Sequence, residues 1–159
     1  MSMIKEHPTN TFSWRFILLH YAIGYVLALI AFVFLSITSV ILGFPLGAVA
    51  YVVIVLYGAG AYLAYRYIKT YDAYPSKRLG WKISAATSPV TIIFSVILFL
   101  LGKESASHIQ ANFDKLGILV WIAILILLFL IHLVVVKLSL LSVTRQFVKR
   151  AEKQAKEAE

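Results

Sequence analysis

The feature that most constrains this chain is a stretch from residue 16 to residue 42 that contains no Asp, Glu, Lys or Arg. A helix crosses the hydrocarbon core of a bilayer with about 20 mostly apolar residues. A water-soluble helix of this composition would have no polar face to turn outward. Three further apolar stretches follow, at about 46–67, 83–101 and 116–138. Together they occupy most of a 159-residue chain that is 61% hydrophobic, with a mean hydropathy of +0.87. The bilayer is therefore the expected solvent. Because lipid offers no hydrogen bonds to an open backbone, the stretches predict an all-α, polytopic four-helix transmembrane bundle. The first of them exceeds the roughly 7–15 apolar residues of a signal-peptide core and has no small-residue cleavage site behind it, so it reads as a retained helix.

The punctuation between the stretches supports this division. Gly43-Phe44-Pro45-Leu46-Gly47 breaks the first stretch with residues that leave or forbid helical geometry, predicting a tight hairpin. The second stretch ends among Tyr62, Tyr65, Tyr67, Tyr71 and Tyr74, whose rings are apolar and whose hydroxyls seek water, as at a membrane interface. A connection over 68–82, with Pro75 and Gly80, leads to the third stretch. A polar loop at 102–115, with Glu104, His108, Asn112 and Asp114, leads to the fourth. Trp14, Arg15 and Trp121 stand near stretch ends as interface anchors. The expected organisation is a short N-terminal segment at 1–15, a membrane domain at 16–138 and a basic amphipathic tail at 139–159. In the tail Phe147, Ala151, Ala155 and Ala158 recur at helical spacing, and Glu152 precedes Lys156 in the favourable i, i+4 order.

Charge supplies the orientation. Lys5, Arg15, Arg66, Lys69, Lys77, Arg78, Lys82, Lys137, Arg145, Lys149, Arg150, Lys153 and Lys156 fall on one side of the four crossings, and only Lys103 and Lys115 on the other. Basic residues near span ends are retained in the cytoplasm, so both termini and the 68–82 connection are expected there, in a bacterial inner membrane. The net charge of +8 is then a topology signal, and nucleic acid is not an expected partner.

Several chemistries are absent from the sequence. The chain has no cysteine, which removes disulfides, thiolate nucleophiles and iron–sulfur ligation. Glu6, Asp72, Glu104, Asp114, Glu152, Glu157 and Glu159 all lie outside the apolar stretches. A proton-coupled exporter, which commonly keeps a carboxylate at membrane depth, is therefore disfavoured. No phosphate loop, zincin pattern or catalytic triad stands out, and no catalytic residue or metal site is expected.

What remains at depth is polar and unusual. His20 lies four residues inside the first stretch and His132 six residues before the end of the fourth, roughly 6 and 9 Å from the same face at the rise of an α-helix. These two can meet in one layer with Tyr62, Ser84, Thr87 and Ser88. Ser84, Ser88, Thr91 and Ser95, spaced four, three and four, form a hydroxyl stripe on one face of the third helix beside Pro89, which leaves the carbonyl of Ala85 without its usual donor. Small residues at Gly24, Ala28, Gly60 and Ala64 let helices approach closely. Three readings stay open: helix packing, a polar path for a solute, and paired histidine ligation of a haem by His20 and His132, since a bis-imidazole iron site needs two histidines on different helices.

The Gly-Pro hairpin, the tyrosine cluster and the segment Tyr74-Pro75-Ser76-Lys77-Arg78-Leu79-Gly80-Trp81-Lys82 resemble a group of small, uncharacterised four-helix bacterial inner-membrane proteins. That resemblance implies fold and location and brings no activity with it. The leading expectation is a non-enzymatic protein that acts by helix–helix association with itself or another membrane protein, in an accessory role or like the membrane-embedded immunity proteins of similar outline. A small transporter or channel component is the alternative, and a haem protein the third.

Overall fold

The computed structural model describes residues 5–7, 13–44, 47–101 and 118–157. They form four long helices: α1 (Trp14–Ile41), α2 (Ala48–Tyr71), α3 (Lys77–Leu101) and α4 (Ile118–Glu157). Within them, Trp14–Ile41, Ala50–Tyr71, Lys77–Leu98 and Leu125–Gln154 are each long and apolar enough to cross a membrane. A short parallel ribbon pairs β1 (Lys5–His7) with β2 (Ala73–Pro75), Lys5 lying opposite Ala73 and His7 opposite Pro75. It ties the residues before α1 to the α2–α3 connection.

The helix ends follow local chemistry. Ser13 begins α1, its hydroxyl accepting from the Phe16 N–H at 3.4 Å and so serving one of the four orphan donors of the first turn. Ser76 does the same for α3, accepting from the Leu79 N–H at 3.1 Å. The far end of α1 unwinds through Gly43 at φ 78°, a left-handed conformation open to glycine, with the Phe44 N–H reaching back to the Ser39 carbonyl at 2.8 Å. Pro45 and Leu46 of the expected hairpin lie outside the described residues. So does the expected polar loop at 102–115, with Lys103, His108 and Lys115. Asp72, also left-handed at φ 46°, ends α2.

The helices outrun the apolar stretches. α2 continues through Arg66 and Lys69 to Tyr71, and α3 already begins at Lys77, so the expected 68–82 connection shrinks to residues 72–76. α4 runs without a break from Ile118 to Glu157, span and tail together. Hydropathy marks where lipid ends, whereas a helix continues as long as its residues favour it, and Arg, Lys, Gln and Glu do. α3 likewise passes through Pro89 without interruption.

α1 packs on α2 and α3, and α4 packs on the same two helices, which gives a four-membered ring with α1 opposite α4. The contacts are close where side chains are small. A Cβ on Gly24 would stand 3.0 Å from the Ala59 carbonyl and from Tyr62, one on Gly58 2.9 Å from the Ala28 Cβ, and one on Gly60 would meet the Ser139 hydroxyl. Glycine at these points is what lets α1 reach α2 and α2 reach α4. The core joins Ile17, Tyr21, Tyr25, Val55, Leu63, Tyr67, Leu79, Ile83, Val136 and Leu140. It occupies one half of the bundle, on the side of the α2–α3 connection: α1 buries nothing after Ala28, α3 nothing after Ser88 among its described side chains, and α4 nothing before His132 among its own. Beyond those points Ile30, Val33, Phe34, Ile37, Ile41, Ile93, Val96 and Leu125 are exposed.

Candidate functional site

The polar residues that sequence reasoning singled out separate into one buried network and a few outliers. The network hangs on α3, where Ser84 and Thr87 are fully buried and Ser88 nearly so. α4 places His132 against them, 3% exposed. The His132 Nε2 stands 2.9 Å from the Ser84 carbonyl oxygen and 3.2 Å from the Thr87 Oγ1. A carbonyl can only accept, so Nε2 carries the proton. The other ring nitrogen, Nδ1, stands 3.2 Å from the Thr91 Oγ1 and accepts in the neutral ring. Thr91 in turn lies 3.0 Å from the hydroxyl of Tyr21, a fully buried residue of α1 whose ring meets the imidazole edge-on at 6.0 Å. The donors then run in one direction, from Tyr21 to Thr91 to His132 to the Ser84 carbonyl, and join α1, α3 and α4.

The remaining hydroxyls turn back onto their own helix. Ser84 donates to the Gly80 carbonyl at 2.9 Å, Thr87 to the Ser84 carbonyl at 3.0 Å and Ser88 to the Ala85 carbonyl at 2.7 Å. The last bond has a specific purpose. Pro89 supplies no N–H to the Ala85 carbonyl, and the Ser88 hydroxyl takes that place, which is why α3 passes the proline intact. Ser88→Ala is expected to destabilise the bundle by about 1–3 kcal/mol, the cost of leaving an acceptor without a donor away from water; reversible SDS unfolding in mixed micelles, followed by circular dichroism, measures it.

His20 does not join this layer. Its Nδ1 donates to the Phe16 carbonyl at 2.9 Å, its ring lies 4.0 Å from Phe16, and it faces Tyr62 at 6.5 Å. Tyr62 itself closes on Gly24 at the α1–α2 contact. Among the described residues His20 and His132 share neither a hydrogen bond nor a ring contact. Ser95, the last member of the stripe, is exposed. A bis-histidine haem needs one free nitrogen on each ring directed at a common iron. Both nitrogens of His132 are engaged by α3, and Nδ1 of His20 by the Phe16 carbonyl. The open groove between α2 and α4 is lined by none of the network residues.

Tyr21 was not legible as a partner of His132, although a hydroxyl next to His20 in an otherwise apolar stretch was the available signal. Nor was Ser139, which is fully buried at Gly60. Midway along α4 the Lys137 ammonium sits 3.6 Å from the centroid of the Trp81 ring, a cation–π contact that anchors α4 to the start of α3.

These features define a class: a four-helix bundle, each helix long and apolar enough to span a membrane, held inside by a buried histidine–hydroxyl network. Compared with models of known families, with curated proteins and with solved structures, the chain matches none of them.

Proposed function

We propose that this chain is an integral membrane protein that works without catalysis, by association of its helices with a second copy or with another membrane protein, in an accessory or immunity-like role. The observation that carries this reading is a contrast. The interior polar groups from Tyr21 to Ser84 bond one another, so no side chain there is held in reserve for a substrate, whereas the half of the bundle beyond Ala28 turns large apolar side chains outward. Moving each such side chain out of water is favourable by about 1.5–3 kcal/mol, which supports insertion. Since lipid tails are as apolar as leucine, what distinguishes a partner helix from lipid is close packing.

The charge distribution supports an orientation with both termini and the α2–α3 connection in the cytoplasm of a bacterial inner membrane. No Asp, Glu, Lys or Arg occurs in 16–65, 83–101 or 118–136, while Arg66, Lys69, Lys77, Arg78 and Lys82 flank the α2–α3 connection.

Photo-crosslinking in the native membrane tests association. With a benzophenone amino acid at Phe34, which is 68% exposed, irradiation is expected to give a discrete protein adduct, either at twice the mass of the chain or at the mass of a defined partner. Adducts with lipid alone, at Phe34 and again at Ile41, overturn the proposal.

A further inference from the structure

The surface of α4 beside α2 carries an open groove of about 410 Å³ that the network does not use. Its walls change character along its length. Tyr57, Leu138 and Leu141 line it at one end, and Ser142, Arg145, Gln146 and Lys149 at the other. Leu138 is 54% exposed and Tyr57 38% exposed, so the apolar end opens onto the outward-facing surface of the spans. From Leu138 to Lys149 the groove follows α4 for about 16 Å at the rise of an α-helix.

Arg145 and Lys149 stand one turn apart on the groove face and are exposed. The single ion pair among the described residues joins Lys153 to Glu157, at 3.6 Å, so neither groove cation is neutralised by a described carboxylate. An occupant must therefore be anionic at one end, apolar at the other and narrow enough to lie in a single-helix groove. We propose that the groove is a binding site for one anionic phospholipid, its phosphate held by Arg145, Lys149 and the Ser142 hydroxyl, and an acyl chain laid along Leu141, Leu138 and Tyr57. Arginine matches a phosphate with two parallel N–H donors, and lysine adds a point charge. A soluble phosphate would leave the apolar end bare, and a zwitterionic lipid would bring a second cation toward the same two. The site rests on the membrane insertion proposed above and is independent of helix association.

Native mass spectrometry of the full chain in nonionic detergent, with equimolar phosphatidylglycerol and phosphatidylcholine, tests it. One phosphatidylglycerol is expected to remain bound in preference to phosphatidylcholine, and glycerol 3-phosphate not to compete. The R145A/K149A variant is expected to weaken that binding about thirtyfold, as the loss of two basic residues near a charged headgroup implies. R78A/K82A removes the same charge from α3, a helix that lines no part of the groove, and is expected to leave occupancy within about twofold. Equal retention of the two lipids, or equal losses in the two variants, overturns the site. Carbonate extraction of the source membranes keeps the two proposals apart: a chain released to the supernatant overturns insertion, and a chain retained in the pellet with no lipid preference overturns the groove alone.

Discussion

Gly60→Leu is expected to part α2 from α4 and to cost more than the about 1–3 kcal/mol usual for overpacking a core. Even a single methyl at this position meets the Ser139 hydroxyl, with the Ser139 Cβ 3.2 Å away and the Val136 carbonyl 3.3 Å away. Two of those three neighbours belong to one side chain and the third is backbone, so leucine has nowhere to turn unless the helices separate. The four helices should still form, since no apolar stretch is shortened, but the variant should lose the packed core at the α2–α4 contact. Gly60→Ala is expected to cost about 1–3 kcal/mol, and Ser139→Gly in the same chain to recover most of it by clearing the space. Gly80→Ala is the control, because nothing lies within 4 Å of a Cβ there, and alanine is the better helix former by about 1 kcal/mol. SDS unfolding followed by circular dichroism distinguishes these outcomes. A Gly60→Leu protein as stable as wild type would mean that the α2–α4 contact is not as close as described.

The second large effect is expected at His132. Truncation to alanine removes a ring that Tyr21, Thr87, Thr91 and the Ser84 carbonyl surround. Emptying a well-packed site of that size costs about 2–5 kcal/mol, to which each lost interhelical hydrogen bond adds about 0.6 kcal/mol. Tyr21→Phe removes one hydroxyl and leaves Thr91 able to donate to Nδ1, so it should cost only about 0.6 kcal/mol. The pair is informative in combination. If Tyr21, Thr91 and His132 act as one network, the double variant should cost less than the sum of the two single ones, with a coupling of about 0.5 kcal/mol or more. Strict additivity would reduce the network to independent contacts. Measurement by SDS unfolding of all four proteins completes the cycle.

Much of this architecture could be read without a structure. Four apolar stretches of spanning length lead to four helices because, in lipid, a backbone that does not bond to itself has no other partner. That Thr87, Thr91 and His132 would be drawn together was legible for a related reason, since a polar side chain in an apolar setting must find a partner. The small residues at Gly24 and Gly60 were legible as points of close approach.

Other features were hidden in geometry that runs around the helix. His20 and His132 were placed at one height, yet height along an axis says nothing about direction around it. His20 precedes Tyr21 by one residue, a turn of about 100°. That single step sends Tyr21 inward to Thr91 and leaves His20 beside Phe16 and Tyr62. The end of α2 was hidden differently: hydropathy stops at Tyr67, whereas hydrogen bonding carries α2 on to Tyr71, while the helical spacing of the tail already pointed to the continuation of α4 that is seen to Glu157. The sequence by itself determined that four helices form and that each is apolar over a spanning length, because both follow from composition read along the chain. Tertiary structure alone decided that α1 stands opposite α4, that Tyr21 rather than His20 reaches the His132 layer, and that Gly60 must yield to Ser139. Those outcomes depend on how the helices are rotated and which faces meet, and side-chain shape sets that only once the helices are in contact.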